Sequence, residues 1–235
     1  IDLASKGSCQ IGGNVATNAG GVRVIRYGHT RNWVLGLDVV TAAGERLLLN
    51  VALEKNNAGY DLRQLIIGSE GTLAIVVGAI LKLAPQPRRS CVLFLAVADL
   101  HHALAVLGSA RTNPAFVVNA FEFMSDACLQ AVCAHKGWTL PLATSSSGHL
   151  LIDVEPRNDD VTDSPVVTWL EGLLKSATIL DGTLSTSHRQ AESLWALREN
   201  ITETLPKLGF VQKNDAAVPV ARLPKFLQDY EEAMD

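Results

Sequence analysis

The sequence predicts an α+β fold built on antiparallel sheet, and three observations carry that reading. Strand-like apolar runs alternate with amphipathic helical patterns along the chain. A clear hairpin signal lies near the N-terminal end. No G-x-G-x-x-G or Walker A sequence is present to mark a parallel nucleotide-binding sheet. The 235 residues suffice for one large domain or two small ones. With 48% apolar and 19% charged residues, the chain belongs among packed rather than disordered proteins.

The hairpin is WVLGLDVVTAAGERLLLNV, residues 33–51, which alternates and breaks at Ala43-Gly44 with Gly44 in the turn. In AGYDLRQLIIGSEGTL, Asp61 is expected to cap a short helix over 62–67, with Gln64 as its capping partner. Gly68 would end that helix in a left-handed conformation. A strand at 72–83 follows and is closed by APQPRR, whose two prolines place a domain boundary between 1–87 and 88–235. Beyond it, CVLFLAVA reads as a continuous apolar strand and 99–112 as a helix. AFVVNAFEFM reads as a strand running into a helix through Val132. HLLIDVE reads as a strand, SPVVTWLEGLLKSA as a helix and GFVQKNDAAVP as a strand with an irregular end.

Composition excludes several function classes. A net charge of −4 gives no electrostatic reason to expect nucleic acid or an acidic membrane surface. No apolar run is long enough to cross a membrane, and GTLAIVVGAILKLAP carries Lys82 and reads as buried strand. The four cysteines are scattered without a C-x-x-C pair, which suits reduced thiols in an intracellular protein. None of the six histidines forms a ligand pair, so no metal site is expected within this chain.

The stretch GGNVATNAGG, residues 12–21, holds four glycines, Asn14, Thr17 and Asn18 with no charged or large side chain. Glycines permit positive φ and let a ligand approach main-chain N–H groups. Either a cradle for a polar, planar or phosphate-bearing ligand or a tight structural turn would use this composition. A second element, IIGSEGTLAIV, flanks Ser69-Glu70 with Gly68 and Gly71 and leads into a strand. Alone it is a turn signal.

The two elements in this order, with NAGYDLRQL between them, resemble the FAD-binding domain of the flavin-linked D-2-hydroxy-acid dehydrogenases related to vanillyl-alcohol oxidase. The resemblance implies that residues 1–87 are the second part of an FAD-binding (PCMH-type) domain. It implies non-covalent FAD contacts from Gly12, Gly13, Asn14, Ala16, Thr17, Asn18, Gly20 and Gly21, with Glu70, Gly71 and Ile75 from the second element. AFEFMSDACLQAV, DGTLSTSHRQAESLWALRENITETL and GFVQKNDAAVPVARL resemble the substrate, or cap, domain of the same family, nearest its 2-hydroxyglutarate-oxidising members. D-lactate and glycolate dehydrogenases stand behind these.

Read from its residues, SHRQAESLWALRENITETL is a helix opened by Ser187 and Gln190 as a capping box. Leu194, Leu197, Ile201 and Leu205 give its buried stripe, and Trp195, Arg198 and Thr202 the neighbouring one. Arg198 beside Thr202 would suit a carboxylate, or equally a surface ion pair with Glu199 or Glu203. Lys213 would face the apolar side of its strand with Val211, or reach water from the strand end. The resemblance assigns Arg198, Thr202 and Lys213 to an acidic substrate, and Lys213 favours 2-hydroxyglutarate over lactate. Asn214 and Ala216-Ala217 depart from the larger residues usual there and bear on substrate shape.

The resemblance further implies oxidation of a D-2-hydroxy acid to the 2-oxo acid by hydride transfer to flavin. The electrons would pass to an electron-transfer flavoprotein or a quinone. A homodimer is the assembly it allows, in bacterial cytoplasm or mitochondrial matrix according to organism. No general base falls within this chain: it, and any zinc ligands, are expected beyond Asp235. The chain opens IDLASKGSC without methionine and ends DYEEAMD in a helical pattern, which is read as truncation at both ends. By itself the chain is then expected to bind FAD weakly and to turn over negligibly. The competing reading is non-catalytic: a stand-alone cap module or a subunit that completes its flavin site with a partner chain.

Overall fold

A computed structural model of the chain describes residues 2–50, 52–86, 90–157 and 165–234. It divides into two compact units, Ile1–Arg88 with Val118–Phe121, and Arg89–Val117 with Glu122–Asp235. Part of the proline-rich run read as a boundary, residues 87–89, lies outside the described residues.

The first unit opens with helices α1 (Ile11–Ala16) and α2 (Val24–Tyr27) and a 3-10 turn at Thr30–Trp33. Strands β1 (Val34–Thr41) and β2 (Arg46–Leu49) follow, then helix α3 (Arg63–Ile66) and strand β3 (Ala74–Leu81). The three strands form an antiparallel sheet in the order β2-β1-β3. The expected hairpin is present: Leu37 to Val40 pair with Leu49 to Arg46, and Gly44 takes φ +79 in the turn. Gly68 likewise takes φ +88 just past α3.

Two local expectations are corrected in this unit. The glycine-rich stretch is not all loop, since Ile11–Ala16 is helical and Gly12 and Gly13 lie inside α1. Glycine costs roughly 1 kcal/mol per residue in a helix relative to alanine. Tertiary packing outweighs that here. Val15 is fully buried among Val34, Leu37, Val39, Ile67 and Ala74, and burial of such a side chain contributes about 1.5–3 kcal/mol. Gly12 lets the helix lie close to β3, because a Cβ there would stand 3.3 Å from the Val76 carbonyl oxygen. In α3, the position before the first helical residue is Leu62 rather than Asp61, but Asp61 Oδ1 still accepts from the backbone amide of Arg63, the first helical residue, at 3.3 Å. The Asp61 carboxylate is also held by the Arg63 side chain, whose Nε and Nη2 donate to its two oxygens at 2.7 Å each. Gln64 Nε2 also reaches Asp61 at 3.4 Å.

The second unit contains β4 (Cys91–Val97), α4 (Leu100–Thr112), the ends of β5 (Phe116–Ser125), whose residues Val118–Phe121 group with the first unit, α5 (Asp126–Lys136) and β6 (Gly148–Pro156). It continues through α6 (Pro165–Lys175), β7 (Asp181–Leu184), α7 (His188–Glu199), α8 (Ile201–Leu208), a 3-10 turn at Val220–Arg222 and α9 (Leu223–Met234). The four strands are ordered β5-β6-β4-β7, with β4 antiparallel to both of its neighbours. Every residue of β4 is buried, which explains its unbroken apolar run. Val92, Phe94 and Ala96 face a core shared with Met124, Leu129, Cys133, Leu151, Leu194 and Leu197. Among the described residues no helix is long and apolar enough to cross a membrane.

Sequence periodicity fails at two places in this unit. The pattern read as one helix from 187 to 205 is two, α7 and α8, joined at Asn200. Asn200 Nδ2 donates to the Ala196 carbonyl at 2.8 Å, a local side-chain bond of the kind that interrupts a helix. Leu194 and Leu197 are buried as expected, but beyond the break it is Thr204 that is fully buried, with Ile201 and Leu205 only partly so. GFVQKNDAAVP forms no strand: residues 210–219 have no regular structure and Lys213 is exposed, so the alternation with Val211 does not apply. His149 is buried on β6, bonded through Nε2 to Asp126 at 2.8 Å and stacked on Phe94.

Candidate functional site

The glycine-rich stretch and the Gly-Ser-Glu-Gly turn, far apart in sequence, are joined by main-chain hydrogen bonds. The amide of Gly68 donates to the Val15 carbonyl at 3.2 Å, and that of Glu70 to the Ala16 carbonyl at 2.9 Å. The end of α1 leaves the Ala16 carbonyl for the downstream turn to satisfy, while the Val15 carbonyl also accepts from the Asn18 amide at 3.1 Å. The fit requires unusual backbone. Glu70 takes φ +52 and Gly71 φ +79.

Arg31 fastens the same junction from a third side. Its backbone amide donates to Asn18 Oδ1 at 3.0 Å, Nη2 to the Ile67 carbonyl at 3.0 Å and Nη1 to Gln64 Oε1 at 2.7 Å. Thr30, fully buried, donates through both its amide and its hydroxyl to the Ala19 carbonyl at 3.0 and 2.7 Å. Neither residue was singled out from sequence. Their signal is RYGHTRNW, a run of cations, aromatics and hydroxyls directly after the glycines.

Beside this junction lies a cavity of about 500 Å³, within the size range of small-molecule and cofactor sites. Asn14, Gly20 and Gly21 line it, together with Arg23, Tyr27, Thr30, Trp33 and residues 81–86. The other residues assigned to the cofactor divide into groups. Gly12, Ala16 and Asn18 belong to the packed junction. Gly13 and Thr17 lie exposed on its surface, with the Thr17 hydroxyl donating to the Gly13 carbonyl at 3.0 Å. Glu70, Gly71 and Ile75 are exposed on the second element and do not line the cavity.

The cavity's chemistry fits FAD on three counts. Among the described residues the buried Tyr27 hydroxyl has no hydrogen-bond partner, so it is a polar group that a ligand could satisfy. Tyr27 and Trp33, with ring centroids 6.0 Å apart, offer flat apolar surface. Asn14 offers a polar group at the same wall, beside the ion pair of Arg23 Nε with Asp2 Oδ2 at 3.1 Å. Glycine serves two separate purposes here. Gly20 and Gly21 are needed for internal packing, since a Cβ would fall 2.9 Å from Val24 Cγ2 and 2.3 Å from the Asp2 carbonyl oxygen respectively. A Cβ on Gly13 would meet nothing within 4 Å, leaving its backbone open to approach.

In the second unit, Arg198 lies in the last turn of α7, where the negative end of the helix favours a cation. It pairs with neither Glu199 nor Glu203. Its Nε donates to Glu122 Oε2 of β5 at 2.8 Å, with the Arg198 side chain 33% and the Glu122 side chain 23% exposed. Glu203 instead takes Lys207 at 2.7 Å, and the ammonium holds its carboxyl below the ordinary range. Thr202 and Lys213 are exposed, and no hydrogen bond joins Arg198, Thr202 and Lys213 among the described residues. Asn214 Nδ2 donates to the Tyr230 hydroxyl at 3.1 Å. Among the described residues no three His, Cys, Asp or Glu side chains converge as a metal site requires.

A cofactor-sized cavity beside a double glycine turn, followed by an α+β unit with a buried antiparallel sheet, defines a flavoprotein architecture of the FAD-linked oxidase type. The chain belongs to that family. Residues 86–235 match the FAD linked oxidases, C-terminal domain, and residues 1–50 match the FAD binding domain. Among curated relatives, the chain is 44% identical to D-2-hydroxyglutarate dehydrogenase of Xanthomonas citri pv. viticola over 229 residues, covering 97% of this chain and 48% of that protein. It is 41% identical to the mitochondrial D-2-hydroxyglutarate dehydrogenase of Rattus norvegicus over 223 residues, covering 95% of this chain and 42% of that protein. The chain thus spans less than half the length of these relatives. A solved structure of alkyldihydroxyacetonephosphate synthase shares the fold, with TM-score 0.55 and 20% identity over 80% of this chain and 36% of that one.

Proposed function

We propose that this chain supplies part of the FAD cradle and the substrate-carboxylate grip of a dehydrogenase that oxidises D-2-hydroxyglutarate to 2-oxoglutarate. The observation that carries the reading is 41–44% identity, across 95–97% of the chain, to proteins named for that activity. FAD would accept the hydride from C2 of the substrate. This chain's residues do the binding and orienting. Asn14, Gly20 and Gly21 form the near wall of the cavity, and further cofactor contacts, outside that wall, are assigned to Gly12, Gly13, Ala16, Thr17 and Asn18 and to Glu70, Gly71 and Ile75 of the second element. The reading takes the FAD as held non-covalently.

Arg198 presents its guanidinium to a substrate carboxylate, Thr202 adds a hydroxyl, and Lys213 reaches the second carboxylate from its exposed segment. Residues 1–87 act as the cofactor portion and 88–235 as the substrate portion. The hydroxyl proton leaves to a base that this chain does not supply. Zinc, where present, is held by residues other than these. Electrons pass onward to an electron-transfer flavoprotein or a quinone, and the enzyme works as a homodimer in bacterial cytoplasm or mitochondrial matrix.

The test is a flavin absorbance spectrum of the full-length protein that contains this chain, followed by a dye-reduction screen of D-2-hydroxy acids. The reading expects a flavin band and D-2-hydroxyglutarate as the preferred substrate. Absence of flavin would remove the cofactor assignment, and preference for D-lactate or glycolate would remove the dicarboxylate one.

A further inference from the structure

We infer that Glu122 is a positioning residue for Arg198: it holds the guanidinium by one edge and turns the other toward the substrate carboxylate. The inference rests on the proposed role of Arg198 as the carboxylate grip. Strand alternation places Glu122 on the same face of β5 as Met124. Met124 packs in one core with Leu194 and Leu197 of α7. The side chain two residues earlier on that face therefore meets the residue that follows Leu197, and the observed contact is Arg198 Nε to Glu122 Oε2 at 2.8 Å. Phe123, between them, points the other way, where its ring abuts Gly148 closely enough that a Cβ on that glycine would overlap it.

A guanidinium is a rigid plane with five N–H donors, and a carboxylate engages it best along an edge that presents two parallel N–H bonds. Glu122 reaches the Nε side only, and Arg198 has no other hydrogen bond among the described residues. Fixing Nε fixes the whole plane. The Nη1/Nη2 edge is left in a set orientation rather than sweeping through the rotamers of a long side chain. Glu122 carries a charge at a position only 23% exposed, and Arg198 is its ion-pair partner. A substrate carboxylate arriving at the Nη edge would complete a Glu–Arg–carboxylate row in which the arginine serves two anions by different edges.

The experiment is a double-mutant cycle of Glu122→Ala and Arg198→Ala in the FAD-loaded enzyme. KM and kcat are read for D-2-hydroxyglutarate, and calorimetric Kd for 2-oxoglutarate supplies a readout independent of turnover. Glu122→Ala is expected to raise KM and Kd about tenfold with kcat within about threefold, the scale of one charge-assisted hydrogen bond acting through the arginine. On the Arg198→Ala background it should add nothing. Glu122→Gln, which keeps an acceptor oxygen, should recover most of the loss. If Glu122→Ala leaves KM and Kd unchanged while Arg198→Ala cripples both, the positioning role is overturned and the arginine grip stands. If Arg198→Ala itself is near normal, the grip fails and the role of Glu122 falls with it. Equal losses from Glu122→Ala on both backgrounds would reduce the pair to a structural contact. Where Glu122→Ala does not hold its fold, Glu122→Met, which keeps the stem volume, is read against the same criteria.

Discussion

The amide of Glu70 donates to the carbonyl of Ala16 at 2.9 Å, and this bond, with its neighbour from Gly68 to Val15, makes one structure of two glycine-rich segments. The carbonyls concerned lie at the end of a six-residue helix. The two segments are therefore joined first by backbone, and the side chains of Asn18, Thr30 and Arg31 reinforce the junction.

Two glycines of this region are separated by a single kind of substitution. Gly13→Ala adds a methyl group in open space on a helix, so it should stabilise the fold by about 0.5–1 kcal/mol while weakening FAD retention. Gly21→Ala meets φ +140 and the Asp2 carbonyl at once, and should destabilise the unit. Thermal unfolding alongside flavin content after gel filtration would check both. A Gly13→Ala protein that keeps its flavin would take Gly13 out of the cofactor site.

Arg31→Ala would strip the Ile67 carbonyl and Gln64 of their partner and loosen the junction from the α3 side. The expected cost is about 1–3 kcal/mol, the range for a lost hydrogen bond to a charged group. Urea denaturation compared with the parent measures it.

Asp61 provides a pH test whose sign follows from the structure. The hydrogen bond from Arg63 holds its carboxyl below the usual carboxylate range in the folded protein. Its contribution is therefore complete above the unfolded-state value and disappears as pH falls through the lowered folded-state value. Asp61→Asn should cost stability at neutral pH, and the difference from the parent should close in acid. Because the Asp61 side chain is 42% exposed, the neutral-pH loss should be no more than about 1 kcal/mol. A difference that persists unchanged into acid would mean the loss is not electrostatic.

At the substrate grip, Arg198→Ala should lower kcat/KM for D-2-hydroxyglutarate by about 100-fold, as expected for a charged contact with a carboxylate. Lys213→Met should raise KM for that dicarboxylate far more than for D-lactate, which has no second carboxylate to lose. Steady-state kinetics on the two substrates separate the roles. Equal effects on both would assign Lys213 to general electrostatics.

Much of the architecture was legible because its causes are local. The Ala43-Gly44 turn, the left-handed Gly68 and the unbroken apolar run of β4 each follow from residue types at adjacent positions. Ser187 opens α7 as read, accepting from the Gln190 amide at 3.3 Å, although Gln190 reaches back to Thr186. Of the assigned site, the contribution of Asn14, Gly20 and Gly21 to one cavity was readable as a cluster of small residues. Tyr27, Thr30, Arg31 and Trp33 were not, because their partners come from the turn before them or from α3 rather than from a recognisable spacing.

What the sequence by itself determined is the class of fold, the hairpin and helix boundaries set by turn residues, and the family. These rest on patterns a few residues long. Tertiary structure decided the rest. It made a helix of Ile11–Ala16 by burying Val15, against the preference of two glycines. It broke the long helix at Asn200 and left Lys213 outside any strand. It also gave Arg198 a partner in Glu122, 76 residues away, rather than Glu199 or Glu203 nearby. Such pairings depend on which faces of strand and helix are packed together, and no local spacing encodes that.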